Sequence, residues 1–216
     1  MILGISGSPR PNGITAHAVK HMLAQCEGET AYISLKGKHI GGCISCLGCT
    51  KENKCVVEDD FQEIAEAMLQ ADGIIFGVPN YYDVPNVLSH ALLERCFCFR
   101  HHSAFLLQNK PAVLFSTGYS ADEENNSVLK IADYMLKTNK VNVLSKFLVG
   151  GYSQCYSCKF GLSCADGNIV KSHGFVTEIC PEMLPLKFEA QTEAIVKCEN
   201  AAHLLMEAVR VNGSLL

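Results

Sequence analysis

The chain has 216 residues, 48% of them hydrophobic and 19% charged, which suits one soluble globular domain with a full core. Its formal net charge of −4 offers no overall attraction for phosphate backbones, so nucleic acid is not an expected partner. No apolar run reaches the roughly 18–20 residues that a membrane-spanning helix needs, so no membrane association is predicted.

Five short apolar runs alternate with five amphipathic stretches along the chain. The predicted strands are 2–6, 31–35, 73–78, 112–117 and 143–149. The predicted helices begin at Thr15, after Asp59-Asp60, at Val87 (to Cys98), near Val128 and at about Phe188 (to Val209). This alternation implies right-handed crossovers, so we predict an α/β fold, a doubly wound five-stranded parallel sheet with helices on both faces. We expect one domain over 1–216, enlarged by cysteine-rich loops at about 42–56 and 151–183.

The chain contains twelve cysteines, and its first residues show neither the basic nor the apolar region of a secretory signal. These two features predict a reducing, cytoplasmic location, where thiols stay available for metal or redox chemistry. Disulfides are the weaker interpretation.

Four cysteines spaced C-x2-C-x2-C-x5-C occupy the first loop: Cys43, Cys46, Cys49 and Cys55. A three-residue step reaches roughly 10 Å, short enough for a curled loop to point successive sulfurs at one small centre. Thiolates select Fe–S clusters, zinc or Cu(I), and three cysteines at steps of three are closer to the bacterial ferredoxin pattern than to a zinc ribbon. The pattern therefore predicts an iron–sulfur centre. A zinc-stapled loop and a group of buried thiols are the alternatives.

The loop between the first strand and the first helix is rich in glycine and hydroxylated residues. It is neither G-x-G-x-x-G nor a P-loop, so dinucleotide and NTP binding have no sequence support. The N–H groups and dipole of a helix start favour a phosphate, and Arg10 adds a charge. We predict a phosphate site here, with a simple helix-capping turn as the alternative.

Gly7-Ser8-Pro9-Arg10, followed by Asn12-Gly13-x-Thr15, resembles the FMN-phosphate loop of the NADPH-dependent FMN reductase family, which has a flavodoxin-like fold. Pro79-Asn80-Tyr81-Tyr82 matches the family's Pro-x-Tyr loop against the flavin ring, and Thr117-Gly118-Tyr119 matches its third flavin loop. These loops follow C-terminal strand ends, where open parallel sheets bind ligands. The resemblance covers roughly residues 1–150. It implies an FMN site formed by Ser6, Ser8, Arg10, Asn12, Gly13, Thr15, Pro79, Asn80, Tyr81, Tyr82, Thr117, Gly118 and Tyr119.

The cysteine loop narrows this resemblance to the iron–sulfur flavoproteins, in which four such cysteines hold a [4Fe–4S] cluster near the flavin. The implied function is an oxidoreductase containing FMN and this cluster, which forms a homodimer or homotetramer. Its electron donor would be a ferredoxin-like protein or NAD(P)H, and its acceptor oxygen, peroxide or a quinone. The alternatives are a cluster-free NAD(P)H-dependent FMN or quinone reductase and a zinc-stapled, non-catalytic binding module. No side chain is identified as a general acid or base.

A second cysteine group consists of Cys155, Cys158 and Cys164, with Cys180 or His173 as a possible fourth ligand. It is open to three interpretations: zinc or a second cluster, a redox-active C-x-x-C thiol pair, or a purely structural loop.

The remaining cysteines and the adjacent histidines receive simpler predictions. Free cysteine behaves as a small hydrophobe, so we predict buried thiols at Cys26, Cys96, Cys98 and Cys198. His101-His102 follows the third helix on a short polar stretch, and we predict that both side chains face solvent.

Overall fold

The computed structural model describes residues 1–119 and 122–213, and its centre is a parallel β-sheet with helices on both faces. The strands are β1 (Ile2–Ser6), β2 (Thr30–Ser34), β3 (Gly73–Tyr81), β4 (Val84–Pro85), β5 (Pro111–Gly118) and β6 (Asn142–Gly150). The helices are α1 (Ile14–Ala24), α2 (Phe61–Gln70), α3 (Val87–Arg95), α4 (Ser127–Thr138), α5 (Asn168–His173) and α6 (Thr192–Gly213).

The five long strands lie in the order β2-β1-β3-β5-β6 and all pair in parallel. This is the flavodoxin-like order of a doubly wound sheet, so the predicted fold class is confirmed. The one further strand of the described residues, β4, was not predicted. It is two residues long and pairs antiparallel with the end of β3.

The central strands are apolar throughout because the sheet is covered on both sides. One face packs on α2, α3 and α4, with Phe61, Met68 and Leu129 in its core. The other face packs on α1 and α6, with Met22 and Leu205 in its core. The loops at the carboxyl ends of the strands therefore emerge from a sheet that is packed on both faces.

Two helix boundaries differ from their predictions. Helix α3 ends at Arg95 and continues as a 3-10 turn over Cys96–Phe99. Helix α6 begins at Thr192, after a separate 3-10 turn at Phe188–Ala190. Among the described residues, no helix is both long enough and apolar enough to cross a bilayer.

Burial of the isolated cysteines is confirmed for three of the four. Cys96, Cys98 and Cys198 are buried, whereas Cys26 is half-buried. Burial raises the pKa of both Cys98 and Cys198 to about 12, so these side chains remain neutral thiols.

Candidate functional site

A cavity of about 580 Å³ opens at the C-terminal edge of the sheet, among the loops that follow β1, β3, β5 and β6. Its volume lies within the roughly 300–1,000 Å³ typical of small-molecule and cofactor sites. The residues that line it are Ser8, Arg10, Gly13, Ile14, Thr15, Pro79, Asn80, Tyr81, Tyr82, Asp83, Thr117, Gly118, Tyr119, Gly151, Tyr152, Ser153, Gln154 and Asn168.

One end of the cavity is the start of helix α1. Gly13 is the N-cap residue, and no side chain caps the helix there. The first N–H groups of a helix have no partners within the helix, so they remain available to a ligand. Ser8 and Arg10 line the same end, and the backbone N–H of Arg10 donates to Ser8 Oγ at 3.1 Å. This end of the cavity can bind an anion.

Two buried threonine hydroxyls meet at the wall of the cavity. Thr15 Oγ1 and Thr117 Oγ1 are 2.8 Å apart and link the first turn of α1 to the end of β5. Each hydroxyl carries one hydrogen, so one donates to the other and the second hydroxyl keeps a hydrogen for a ligand. The pair therefore adds an uncharged donor near the anion-binding end.

The hairpin between β3 and β4 carries tyrosines to the rim of the cavity. Its two connecting residues, Tyr82 and Asp83, have φ values of +55° and +59°, as a type I′ turn requires. The Asn80 side chain accepts from the Asp83 N–H at 2.8 Å and donates to its carboxylate at 3.1 Å, which braces the turn. The Tyr82 side chain is fully exposed. The hairpin thus presents a flat aromatic surface at the cavity mouth.

The loop after β6 forms a further wall of the cavity, which the sequence did not predict. The Gly151 N–H donates to the Gly118 carbonyl at 2.8 Å, and a Cβ on Gly151 would lie 2.9 Å from the Gly118 nitrogen. Only glycine permits this approach, which brings Tyr152 to the cavity with the Arg10 guanidinium 4.9 Å from its ring centre. The Gly150-Gly151 pair after a predicted strand was the available signal, because it marks a loop at the same sheet edge.

Two of the residues predicted for FMN do not line the cavity. Ser6 lies buried in β1, and among the described residues its Oγ has no hydrogen-bond partner. Asn12 is exposed and is absent from the lining of the cavity. The other predicted FMN residues all line this cavity.

The four cysteines of the first loop line one narrow, apolar pocket of about 20 Å³. Cys49 is buried, Cys43 and Cys55 are half-buried, and Cys46 is exposed. The rest of the wall consists of Ile44, Ser45, Leu47, Val56, Val57, Arg95, Phe97 and Cys98. This space admits about one water molecule, so the thiols would have to spread to admit a cluster. In the part of the chain that is described, no three His, Cys, Asp or Glu side chains converge on a single ion position.

Arg95 closes the base of this cysteine loop. Its Nη1 donates to the Gly41 carbonyl at 3.0 Å and to Asp59 Oδ2 at 2.7 Å, while Nη2 donates to Asp59 Oδ1 at 3.1 Å and to the Val57 carbonyl at 3.3 Å. The Arg95 side chain is 1% exposed and that of Asp59 is 14% exposed. One buried guanidinium therefore joins the residues before Cys43 to those after Cys55.

The Asp59 carboxylate keeps its charge in this setting. Burial alone would raise the pKa of Asp59, but hydrogen bonds from Arg95 and from the Gly41 and Phe61 N–H groups hold it below its ordinary value. The contact with Phe61 also places Asp59 just before α2, where the sequence predicted the start of a helix. Asp60 instead accepts from the His39 N–H at 2.5 Å.

The two adjacent histidines differ in their surroundings. His102 is exposed, which confirms its prediction. The prediction for His101 is wrong, because its ring is half-buried and its Nε2 lies 3.1 Å from Cys49 Sγ.

The second cysteine group is more exposed than the first. Cys158 and Cys164 are exposed, and His173 pairs with the Tyr156 hydroxyl at 3.1 Å. Cys155 lies beside the large cavity, where its Sγ accepts from the Asn168 N–H at 3.3 Å. Hydrogen bonds from the Ser153 hydroxyl and the Asn168 N–H lower the pKa of Cys155.

Residues 1–152 match the family described as NADPH-dependent FMN reductase. An iron-sulfur flavoprotein of Methanocaldococcus jannaschii is 37% identical over 139 residues, which are 62% of this chain and 71% of that protein. An iron-sulfur flavoprotein of Methanosarcina thermophila is 33% identical over 138 residues, 62% of this chain and 72% of that protein.

Among solved structures, a flavone reductase resembles the chain with a TM-score of 0.60 at 18% identity. The match covers 97% of this chain and 62% of that one, and it concerns the fold.

Proposed function

This chain belongs to the NADPH-dependent FMN reductase family, among its iron-sulfur flavoproteins, and is a flavin-dependent oxidoreductase; from that premise we propose that it holds FMN at the sheet edge and a [4Fe–4S] cluster in the cysteine pocket. Flavin exchanges electrons singly or in pairs, whereas a cluster passes one at a time, so the two together convert between these modes. The protein's part is to bind, orient and shield both groups.

The observation that carries the FMN proposal is the shape and chemistry of the 580 Å³ cavity. An anion-binding helix start lies at one end and exposed aromatic surface at the other, which suits a phosphate joined to a flat ring system. We propose that Ser8, Arg10, Gly13 and Thr15 hold the phosphate. Ser6 and Asn12, which lie outside the lining, would support that loop. The ring would lie against Pro79, Asn80, Tyr81, Tyr82, Thr117, Gly118 and Tyr119, with Tyr152 as an addition from the loop after β6.

The cluster proposal is supported by the donor set of the smaller pocket. The four cysteines of the first loop line it, and thiolate is the usual protein ligand of iron–sulfur clusters. The other side chains are mainly apolar, which limits water around a bound centre. The Arg95–Asp59 pair fixes both ends of the loop, so Cys43, Cys46 and Cys55 can adjust without unfolding it.

We further propose that residues 1–216 act as one domain, since α6 packs beside α1 on the sheet that carries both pockets.

The electron donor would be a ferredoxin-like protein or NAD(P)H, and the acceptor a small molecule such as oxygen, peroxide or a quinone. A homodimer or homotetramer is supported by exposed apolar side chains at the two pockets, including Ile44 and Tyr82.

The experiment that separates this function from that of a cluster-free reductase compares a cysteine of the first loop with one outside both cysteine-rich loops. Cys46→Ser should lose iron, acid-labile sulfide and electron transfer, whereas the control Cys26→Ser should keep all three. If Cys46→Ser retains NAD(P)H-driven turnover at the wild-type rate, the cluster has no role and the chain is an FMN or quinone reductase. If the wild-type protein holds zinc and binds no FMN, the non-catalytic alternative is correct.

A further inference from the structure

We propose that His101 is a positioning residue for the cysteine cluster: its imidazole donates a hydrogen bond to Cys49 Sγ and thereby raises the reduction potential of the bound centre. This inference rests on the proposed function, because it requires Cys49 to be a cluster ligand. His101 is 52 positions from Cys49 in the chain and lies outside the cysteine motif.

The contact is direct and its geometry is constrained on several sides. Nε2 lies 3.1 Å from Cys49 Sγ. The imidazole packs edge-on against Phe97, with ring centres 5.0 Å apart and planes at 85°. The His101 N–H donates to Asn53 Oδ1 at 2.6 Å, and the Asn53 N–H donates to the Cys49 carbonyl at 2.9 Å. The cysteine loop itself therefore holds His101 in place.

The direction of the hydrogen bond follows from the chemistry of a metal-bound cysteine. A ligating sulfur is a thiolate without a proton, so it can only accept, and Nε2 must carry the hydrogen. Nδ1 then has no hydrogen when the ring is neutral. The pairing thus assigns the Nε2–H tautomer to His101 in the cluster-bound protein.

Cys49 is the ligand at which such a donor matters most. It is the buried member of the four, so water has the least access to its sulfur. A hydrogen bond to a thiolate ligand withdraws negative charge, and hydrogen bonds to the sulfurs are among the features that set the potential of an iron–sulfur cluster. Reduction adds negative charge, so the donor stabilises the reduced form and raises the potential.

The test measures the midpoint potential by anaerobic redox titration followed by electron paramagnetic resonance, together with iron and sulfide content. His101→Phe keeps a ring beside Phe97 but removes the donor. His101→Gln keeps a donor, and His102→Asn is the control, since asparagine tolerates the φ of +52° at that position. We expect a more negative potential in His101→Phe, partial recovery in His101→Gln and no shift in His102→Asn.

The possible outcomes separate this inference from the proposed function. A His101→Phe protein with full iron and sulfide and the wild-type potential overturns the inference alone. The hydrogen bond is supported if the cluster is lost in His101→Phe but retained in His101→Gln and His102→Asn. Loss of the cluster in both His101 variants shows a merely structural role and overturns the inference. Wild-type protein without iron and sulfide overturns the proposed function instead.

Discussion

Replacing Arg95 with methionine should destabilise the protein far more than removing an exposed arginine. Methionine keeps much of the side-chain volume but none of the four hydrogen bonds that the guanidinium makes at the base of the cysteine loop. The variant leaves the Asp59 carboxylate without its counter-charge. It also leaves the carbonyls of Gly41 and Val57 without this donor.

The magnitude follows from burial. Removing one partner of a buried ion pair costs about 3–5 kcal/mol, because the other charge remains unpaired. Asp59 is 14% exposed and keeps hydrogen bonds from the Gly41 and Phe61 N–H groups, which places the expected loss at the lower end. We therefore expect Arg95→Met to lower the free energy of unfolding by about 3 kcal/mol.

The chain contains a matched control in Arg210, which pairs with Glu27 at the same 2.7 Å distance. Those side chains are 63% and 78% exposed, and exposed ion pairs contribute only about 0–1 kcal/mol. Urea unfolding of Arg95→Met and Arg210→Met, with all proteins in the same cofactor state, measures both losses. The double variant Arg95→Met/Asp59→Asn should recover part of the loss, because the unpaired carboxylate is gone.

The reasoning is refuted if Arg95→Met loses no more stability than Arg210→Met. Equal losses would mean that the buried pair contributes no more than a surface contact. A double variant less stable than Arg95→Met would likewise contradict the view that the unpaired Asp59 charge carries the cost.

Three further predictions follow from the two pockets. Asp59→Asn should lower the free energy of unfolding most at neutral pH and progressively less as pH falls below 3.8, because the lowered pKa of Asp59 stabilises the fold only while the carboxylate is ionised. Urea unfolding across this range measures the difference between variant and wild type, and a difference that does not change with pH would contradict the prediction. Gly151→Ala should weaken FMN binding by about tenfold, since overpacking costs about 1–3 kcal/mol. Flavin fluorescence titration measures the affinity, and the control Gly213→Ala, whose added Cβ meets nothing within 4 Å, should bind FMN as the wild type does. Ser153→Ala should raise the pH midpoint for alkylation of Cys155, because the hydroxyl stabilises the thiolate; peptide mass spectrometry would show an unchanged midpoint if the hydroxyl has no such effect.

The sheet and the main cavity could be predicted because their signals are local. Each buried strand is an apolar run that ends in glycine, proline or hydroxylated residues, and parallel strands bring those ends to one edge. The loops that begin at Ser8, Pro79 and Thr117 therefore come together once the topology is known. The spacing of the four cysteines likewise indicates a common pocket without knowledge of the tertiary structure.

The remaining features depend on contacts between distant parts of the chain. In the sequence, His101 and His102 are equivalent neighbours, and only the fold places one against Cys49. In the sequence, Arg95 is a charged residue near the end of a predicted helix, and its burial depends on the path of the loop around it. The wall at Tyr152 required a close glycine contact between two loops, which no periodicity reveals.

Similar reasons explain the two missed elements. Strand β4 is two residues long, contains Pro85 and forms only because a type I′ turn folds it back on β3. Helix α5 has six residues and lies inside the second cysteine-rich loop, too short for a clear helical period.

The most direct test of the central claim, two cofactors in one chain, is the composition of protein purified without oxygen. Iron, acid-labile sulfide and FMN are measured per chain, together with the visible absorption spectrum. We expect about four irons, about four sulfides and about one FMN per chain, as a cubane held by four cysteines and a single flavin site require. Zinc without sulfide, or FMN without iron, would contradict the claim.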